Sequence, residues 1–222
     1  ILEYASDIKQ AGSMLLSLIN DILDFSKIES GKMDIIPVDY DFGILLSDTI
    51  DMIRSKAEEK KLQLELKIES NTPVHLHGDE VRLRQILTNI LTNAVKYTSE
   101  GKVILTVSGK KVSAGVVQLY VSVKDTGIGI KEEDIGRLFD SFQRVDESRN
   151  RNIEGTGLGL SITMRLLNLM GSRLEVESTY GKGSDFYFYL EQKQLDDEVI
   201  GEDIQKYYEN EKGKISIFTE QF

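Results

Sequence analysis

The segment from Asp79 to Tyr97 constrains the fold most, because it forms a helix with two unlike faces side by side. Projected at about 100° per residue, Leu83, Ile86, Leu87, Ile90, Leu91 and Ala94 make an apolar surface. Arg82, Gln85, Asn89, Asn93 and Lys96 fall within roughly 40° of one adjoining line. Such a helix buries one face in a core and keeps the other at the core's edge. A polar line standing in water is the simplest account of the helix taken alone. Its composition points elsewhere, since solvated faces favour Glu, Lys and Arg, whereas Asn is a mediocre helix former. Two Asn one turn apart, followed by Lys96, offer amide oxygens to a hard cation and an ammonium to phosphate. Mg2+ takes only one or two protein oxygens and fills its other positions with water and substrate phosphates.

The elements around this helix define the fold class. Ile8, Ala11, Leu15, Leu18, Ile22 and Phe25 recur at steps of three and four, the seam of a bundle or coiled coil. Gly31 is a stop signal for that helix, and no cap precedes Ile1, so it is expected to continue a longer one. A strand is expected near Met33–Val38. Asp41 then caps a helix with Leu45, Leu46, Ile50, Ile53 and Ala57 on one face. Leu62–Glu69 alternates as a half-buried strand does. Lys102–Gly109 and Val116–Lys124 form two more strands, joined through Ala114 and Gly115. A short helix is expected near Glu132–Phe139, a helix over Leu158–Met170, and a hairpin of Arg173–Ser178 with Ser184–Glu191. Between them, Gln143–Gly155 is polar enough to be a loop or lid. Strands and helices mix without regular βαβ alternation, which indicates α+β: a mixed five-stranded sheet with about three helices on one face. The expected organisation is a long helix over 1–33, a globular domain over 34–192 and an acidic extension or linker over 193–222.

Composition excludes several functions. A formal net charge of -10 argues against a nucleic-acid surface, which needs clustered Lys and Arg. Any anionic ligand is therefore held locally. The chain has no Cys, hence no disulfide, thiolate metal site or cysteine nucleophile. No apolar run reaches the roughly 18 residues of a membrane span, so no membrane contact is expected of this chain, and a cytoplasmic setting is the expectation. A membrane anchor elsewhere in a parent protein is compatible with that reading.

Glycine clusters at Asp125-Thr-Gly-Ile-Gly-Ile130, at Gly155-Thr-Gly-Leu-Gly-Leu-Ser161 and at Gly181-Lys-Gly-Ser184. Each alone marks a turn more often than a ligand. There is no G-x-x-x-x-G-K-[ST], and the middle cluster lacks Rossmann spacing and follows a polar stretch, so a P-loop and a dinucleotide fold are both excluded. The first cluster ends a strand and puts Asp125 where its carboxylate can accept an adenine amino proton. The second opens a helix, whose unpaired N–H groups favour phosphate. With the Asn–Lys stripe, and with Arg144, Arg149 and Arg151 in the polar stretch, the set describes a nucleotide site under a lid.

In this order and spacing the motifs resemble those of the histidine-kinase catalytic domain. Asn89-x-x-x-Asn93-Ala-Val-Lys96-Tyr97-Thr98 resembles its N box, Asp125-x-Gly127-x-Gly129 its G1 box and Phe139-Asp-Ser-Phe142 its F box. Gly155-Thr156-Gly157-Leu158-Gly159-Leu160 resembles its G2 box, and Gly181-x-Gly-Ser184 its third glycine motif. The resemblance covers about residues 34–191. It implies a Bergerat-type two-layer sandwich with ATP between the sheet and the N-box helix. It also implies that Asn93 binds Mg2+ with help from Asn89, that Lys96 and Arg144 meet phosphate, that Tyr97 lies near adenine and that Asp125 receives the adenine amino group. Phe142, Gly127, Gly129, Gly155, Thr156, Gly157, Leu158, Gly159 and Ser184 complete the implied binding set. Leu15–Lys32 resembles the second helix of the family's dimerisation hairpin. The tail resembles linkers that lead into receiver domains of hybrid kinases. The implied partners are the phosphoacceptor helix, a response-regulator receiver and a second copy of the parent.

In that family the γ-phosphate passes to a histidine on the first hairpin helix. Only His75 and His77 occur here, in an extended stretch beside Pro73 with no acidic neighbour in sequence. They are expected to be structural, so this chain is expected to bind ATP without phosphorylating itself. Gyrase-type and Hsp90-type relatives carry Glu where Asn89 stands, as a base for water; an amide cannot take that proton, so a kinase is favoured over an ATPase. A nucleotide-binding pseudokinase is the alternative. Asp185, where the family more often has an uncharged residue, weakens phosphate binding if it points at the site; a solvent-facing position is the expectation.

Overall fold

The computed structural model describes residues 2–138, 157–200 and 215–218. The first helix, α1, spans Leu2–Glu29. Ile8, Leu15 and Ile22 of its seam are exposed, while Phe25 and Ile28 pack against the core of the domain. Residues 33–37 are not a strand; the paired segment, β1, is Val38–Asp41. Pro37 has no N–H for a ladder, and the Ile36 N–H donates instead to the Asp79 carboxylate at 2.8 Å.

Asp41 then caps α2 (Phe42–Glu59), accepting from Ile44 N at 2.8 Å. β2 (Gln63–Ile68) and β3 (His75–Gly78) follow. Asp79 caps α3 (Glu80–Tyr97) through Arg82 N at 3.0 Å, so one buried carboxylate starts that helix and ties down the segment before β1. Next come β4 (Lys102–Ser113) and β5 (Val116–Asp125). The expected helix at Glu132–Phe139 shortens to α4, Glu132–Ile135, ended by Gly136. α5 (Gly159–Leu169), β6 (Glu175–Thr179) and β7 (Gly183–Gln194) complete the domain.

The strands form one sheet in the order β1-β3-β7-β5-β4-β2, with β6 beside β7 and a last strand, β8 (Ile215–Phe218), beside β2. The pairings β2–β4 and β2–β8 are parallel and the others antiparallel. The sheet is therefore mixed, as expected, but among the described residues has eight strands rather than five. β3 and β8, which have no expected counterpart, and β1, which stands in place of the strand expected near Met33–Val38, have four residues each, too few for alternation to show in sequence. Alternate residues of the long strands, such as Val117, Leu119, Val121 and Val123, are buried under α2, α3 and α5. On the opposite face Tyr120, Tyr187 and Tyr189 cluster, with ring centroids 5.2–6.3 Å apart. Beyond β7 the chain stays with the domain for a while. Leu195 N donates to His75 O, Val74 N to Glu198 O and Ile200 N to Thr72 O, and Ile200 is buried.

Candidate functional site

Asp125 closes the buried row of β5 and is only 5% exposed. A carboxylate at the end of an aliphatic row must be hydrogen-bonded or pay for its desolvation. Gly127 N donates to its Oδ1 at 2.7 Å, and the nearby Ser184 backbone N–H also favours the charged form. Burial still holds its pKa above the ordinary carboxylate value; the two amides oppose this, and the Asp185 charge adds to it. The carboxylate keeps acceptor capacity beyond the Gly127 N–H, for which an amino donor is the matching ligand group.

The loop after Asp125 and the end of α3 form one packed unit. A Cβ on Gly127 would run into the Tyr97 carbonyl and sit 2.9 Å from Thr98 Oγ1. Ile128 N donates to Tyr97 O at 3.2 Å. Gly129 adopts φ 65 and has the Thr179 backbone where a side chain would start. Ser184 contributes its backbone; its hydroxyl lies 2.9 Å from Ser178 Oγ, which also accepts from Ile130 N at 2.8 Å. Tyr97, Asp125, Gly127, Gly129 and Ser184 are thus brought together, supported by Thr98, which the N-box motif contains, and by Ser178, which no motif signalled.

Further up α3, the Asn89 amide nitrogen lies 3.4 Å from both Gly159 O and Thr163 Oγ1. Asn89 therefore links the stripe to the start of α5, and among the described residues no group bonds its oxygen. Asn93 is half-buried, and among the described residues no protein group bonds its amide. An unclaimed amide oxygen suits a hard cation, so these residues fit Mg2+. Lys96 Nζ stands 4.8 Å from the centroid of the Tyr97 ring. At α5, Gly157 adopts φ 72, Leu158 is buried, and no side-chain hydrogen bond caps the helix. The first amides after Gly159 are thus suited to an anion. Phe142, Arg144, Gly155 and Thr156, with Phe139, Arg149 and Arg151, lie outside the described residues.

The polar stripe divides between two tasks. Gln85 Nε2 donates to Asp24 Oδ2 of α1 at 2.8 Å, and Arg82 approaches the same carboxylate at 3.6 Å. Arg165 of α5 pairs with Glu29 at 2.8 Å, its guanidinium 4.9 Å from the Phe25 ring centroid. The first two stripe residues therefore hold α1, and only the last three face the candidate ligand region. Sequence reasoning missed this division because nothing near Asp24 signals a partner 61 positions away.

Asp185 points to the other side of the sheet, where Ser122 Oγ donates to it at 2.6 Å. It does not enter the site. His75 and His77 lie on that outer face too, but each has an acidic partner that local sequence did not supply. His77 meets Asp39 at 2.6 Å through β1–β3 register, and His75 meets Asp196 at 2.8 Å on the strand exit.

Residues 78–194 match the family described as histidine kinase-, DNA gyrase B-, and HSP90-like ATPase. Over 188 residues the chain is 43% identical to hybrid signal transduction histidine kinase B of Dictyostelium discoideum, covering 85% of this chain and 10% of that one. It is 41% identical over 189 residues to the sensor histidine kinase GacS of Pseudomonas protegens, covering 85% and 21%. The chain thus spans a tenth to a fifth of these relatives. Full-length ShkA, solved in complex with AMPPNP, superposes with a TM-score of 0.72 at 31% identity, covering 88% of this chain and 40% of that one. The histidine kinase AdeS of Acinetobacter baumannii shares the fold at a TM-score of 0.65 and 22% identity, over 87% and 84%. The motifs, the packing that joins them and these likenesses together establish that the chain belongs to the family of histidine kinase-, DNA gyrase B- and HSP90-like ATPases, as an ATP-binding catalytic domain of the histidine-kinase type.

Proposed function

We propose that this domain holds Mg2+-ATP between α3 and the sheet and presents the γ-phosphate to a histidine outside the chain. The carrying observation is Asp125: a buried carboxylate, held by the Gly127 backbone N–H, at the junction of the N-box helix and the glycine loop. In this reading Asp125 accepts the adenine amino group while Gly127 and Gly129 let the loop close on Tyr97. Asn93, assisted by Asn89, holds Mg2+, which would supply charge neutralisation between the phosphates. Lys96, Arg144 and the amides that open α5 orient the phosphate chain, with Gly155, Thr156, Gly157, Leu158 and Gly159 at its cradle and Phe142 in the lid. Phosphoryl transfer is mostly positioning and charge stabilisation, so such a set accounts for this domain's share of the reaction.

Transfer rather than hydrolysis is favoured because Asn89 cannot act as a base, and its amide is directed at α5. His75 and His77 are engaged with Asp196 and Asp39 on the outer sheet face, which supports an acceptor elsewhere. We assign residues 1–33 to the second helix of a dimerisation hairpin, 34–192 to the catalytic domain and 193–222 to an extension toward a receiver, within a homodimeric parent protein. Among the described residues no helix is long and apolar enough to cross a membrane.

The test is transfer of label from γ-labelled ATP to a supplied hairpin carrying the acceptor histidine. Acid-labile label on the hairpin, none on the chain alone and negligible free phosphate are expected. Label on the chain that disappears in a His75→Gln, His77→Gln variant would overturn the external acceptor. Mg2+-ATP binding with no transfer to any hairpin would favour a pseudokinase.

A further inference from the structure

A helix that ends without a glycine must still satisfy its last carbonyls. α3 ends at Tyr97, with Thr98 extended at φ -103 and ψ 122. Its carbonyls can be accounted for one by one. Ala94 O accepts from Thr98 Oγ1 at 2.7 Å, and Tyr97 O accepts from Ile128 N at 3.2 Å. Val95 O and Lys96 O both accept from Lys60 Nζ at 2.8 Å, and Thr98 O accepts from the same ammonium at 3.2 Å. Lys60 is the C-cap residue of α2, directly before Lys61, which turns the chain into β2 in the left-handed region at φ 58. One ammonium thus uses all three donors on three of the four carbonyls from Val95 to the C-cap Thr98, Tyr97 O being taken by Ile128 N, with its charge at the negative end of the α3 dipole.

We infer that Lys60 is a positioning residue for the nucleotide site. The inference rests on the ATP-binding reading. Residues 95–98 carry Lys96 and Tyr97 on their side chains, and their backbone forms the wall against which Gly127 packs. Lys60 holds this turn from one side while Ile128 N holds it from the other. Losing the ammonium leaves two carbonyls of the last turn to water and lets the turn unwind. Lys96 and Tyr97 then lose their fixed direction, and the loop beside Asp125 loses its wall.

Calorimetric titration of the full chain with Mg2+-ATP tests it, using Lys60→Met, Lys60→Arg and Ile68→Val. Ile68 is a buried residue at the far end of β2 and controls for lost stability. All are measured well below their melting temperatures. Lys60→Met is expected to bind about fivefold more weakly, with Lys60→Arg recovering most of the loss and Ile68→Val binding as wild type does. Should Lys60→Met fail to fold, Lys60→Gln, which keeps two amide donors, is expected to give an intermediate loss. Wild-type affinity in the folded methionine or glutamine variant overturns the inference, as does an equal loss in Ile68→Val. Absence of binding by the wild type removes the ATP-binding reading itself, and is recognised because no variant is needed to see it.

Discussion

Replacing Asp125 with Asn should move stability and ligand affinity in opposite directions. The carboxylate is 5% exposed and its pKa is held above the usual value, chiefly by burial. A raised acid pKa means that ionisation is harder in the folded state, so the charged form weakens folding once the pH exceeds the unfolded value. A neutral amide escapes that cost. If the Asn oxygen keeps the Gly127 N–H at the position now occupied by Oδ1, its NH2 takes the other position. There it would face the adenine amino group, donor against donor. The loss is one hydrogen bond to a charged acceptor plus an unsatisfied buried donor, together about 3 kcal/mol or more. That corresponds to roughly a 150-fold weaker Kd. Urea unfolding at neutral pH should show Asp125→Asn as stable as wild type or slightly more so, while calorimetry with Mg2+-ATP shows binding almost abolished. A variant that binds ATP within a few fold of wild type would refute the adenine assignment. A variant that loses both stability and binding would refute the claim that the carboxylate is kept for the ligand at the expense of the fold.

Three further outcomes follow from the same geometry. Gly127→Ala places a methyl against the Tyr97 carbonyl and 2.8 Å from Asp125 Oδ1; overpacking of about 1–3 kcal/mol is expected, read as a lower urea midpoint with weakened ATP binding. Lys61→Gly relieves a left-handed non-glycine residue at φ 58, and should stabilise the chain by about 0.5–1 kcal/mol in thermal unfolding without changing ATP affinity. The His75 pKa is raised, mainly by its hydrogen bond to Asp196, with Glu198 and Asp41 adding to it and partial burial opposing. Its contribution is complete below the unfolded pKa of about 6.5 and is lost as pH rises through the higher folded value. Hydrogen exchange at Leu195 and Val74 should therefore quicken beyond the intrinsic pH trend as pH rises toward 8, and His75→Gln should remove that excess.

The candidate site was legible where its physics is local. Helical period alone sorts Leu83 to Ala94 from Asn89, Asn93 and Lys96, and a glycine needed for close approach, as at Gly127, leaves a mark at its own position. Asp125 was legible because a charged residue ending an alternating apolar run is costly unless it has a use. Four-residue strands were not, since so short a segment carries no period of its own. The limits of α4 and β1 shifted because Gly136 and Pro37 act on single hydrogen bonds.

By itself the sequence determined the element types, the faces they bury and the residue kinds offered to a ligand, because each follows from spacing within one helix or strand. Tertiary structure alone decided which polar residues serve the site and which serve the frame. Arg82 and Gln85 belong to the same stripe as Asn93, yet they are taken by Asp24. Lys60 sits in a run of four charged residues, Glu58-Glu59-Lys60-Lys61, of a kind common at helix ends in water. It becomes a cap only because packing brings the end of α3, 35 to 38 positions away, within reach of its ammonium. His77 finds Asp39 through strand register, and Asp185 turns from the site to Ser122 through alternation along β7. A side chain's partner depends on where distant elements come to rest, and that is set by burial of the whole core rather than by the residues beside it.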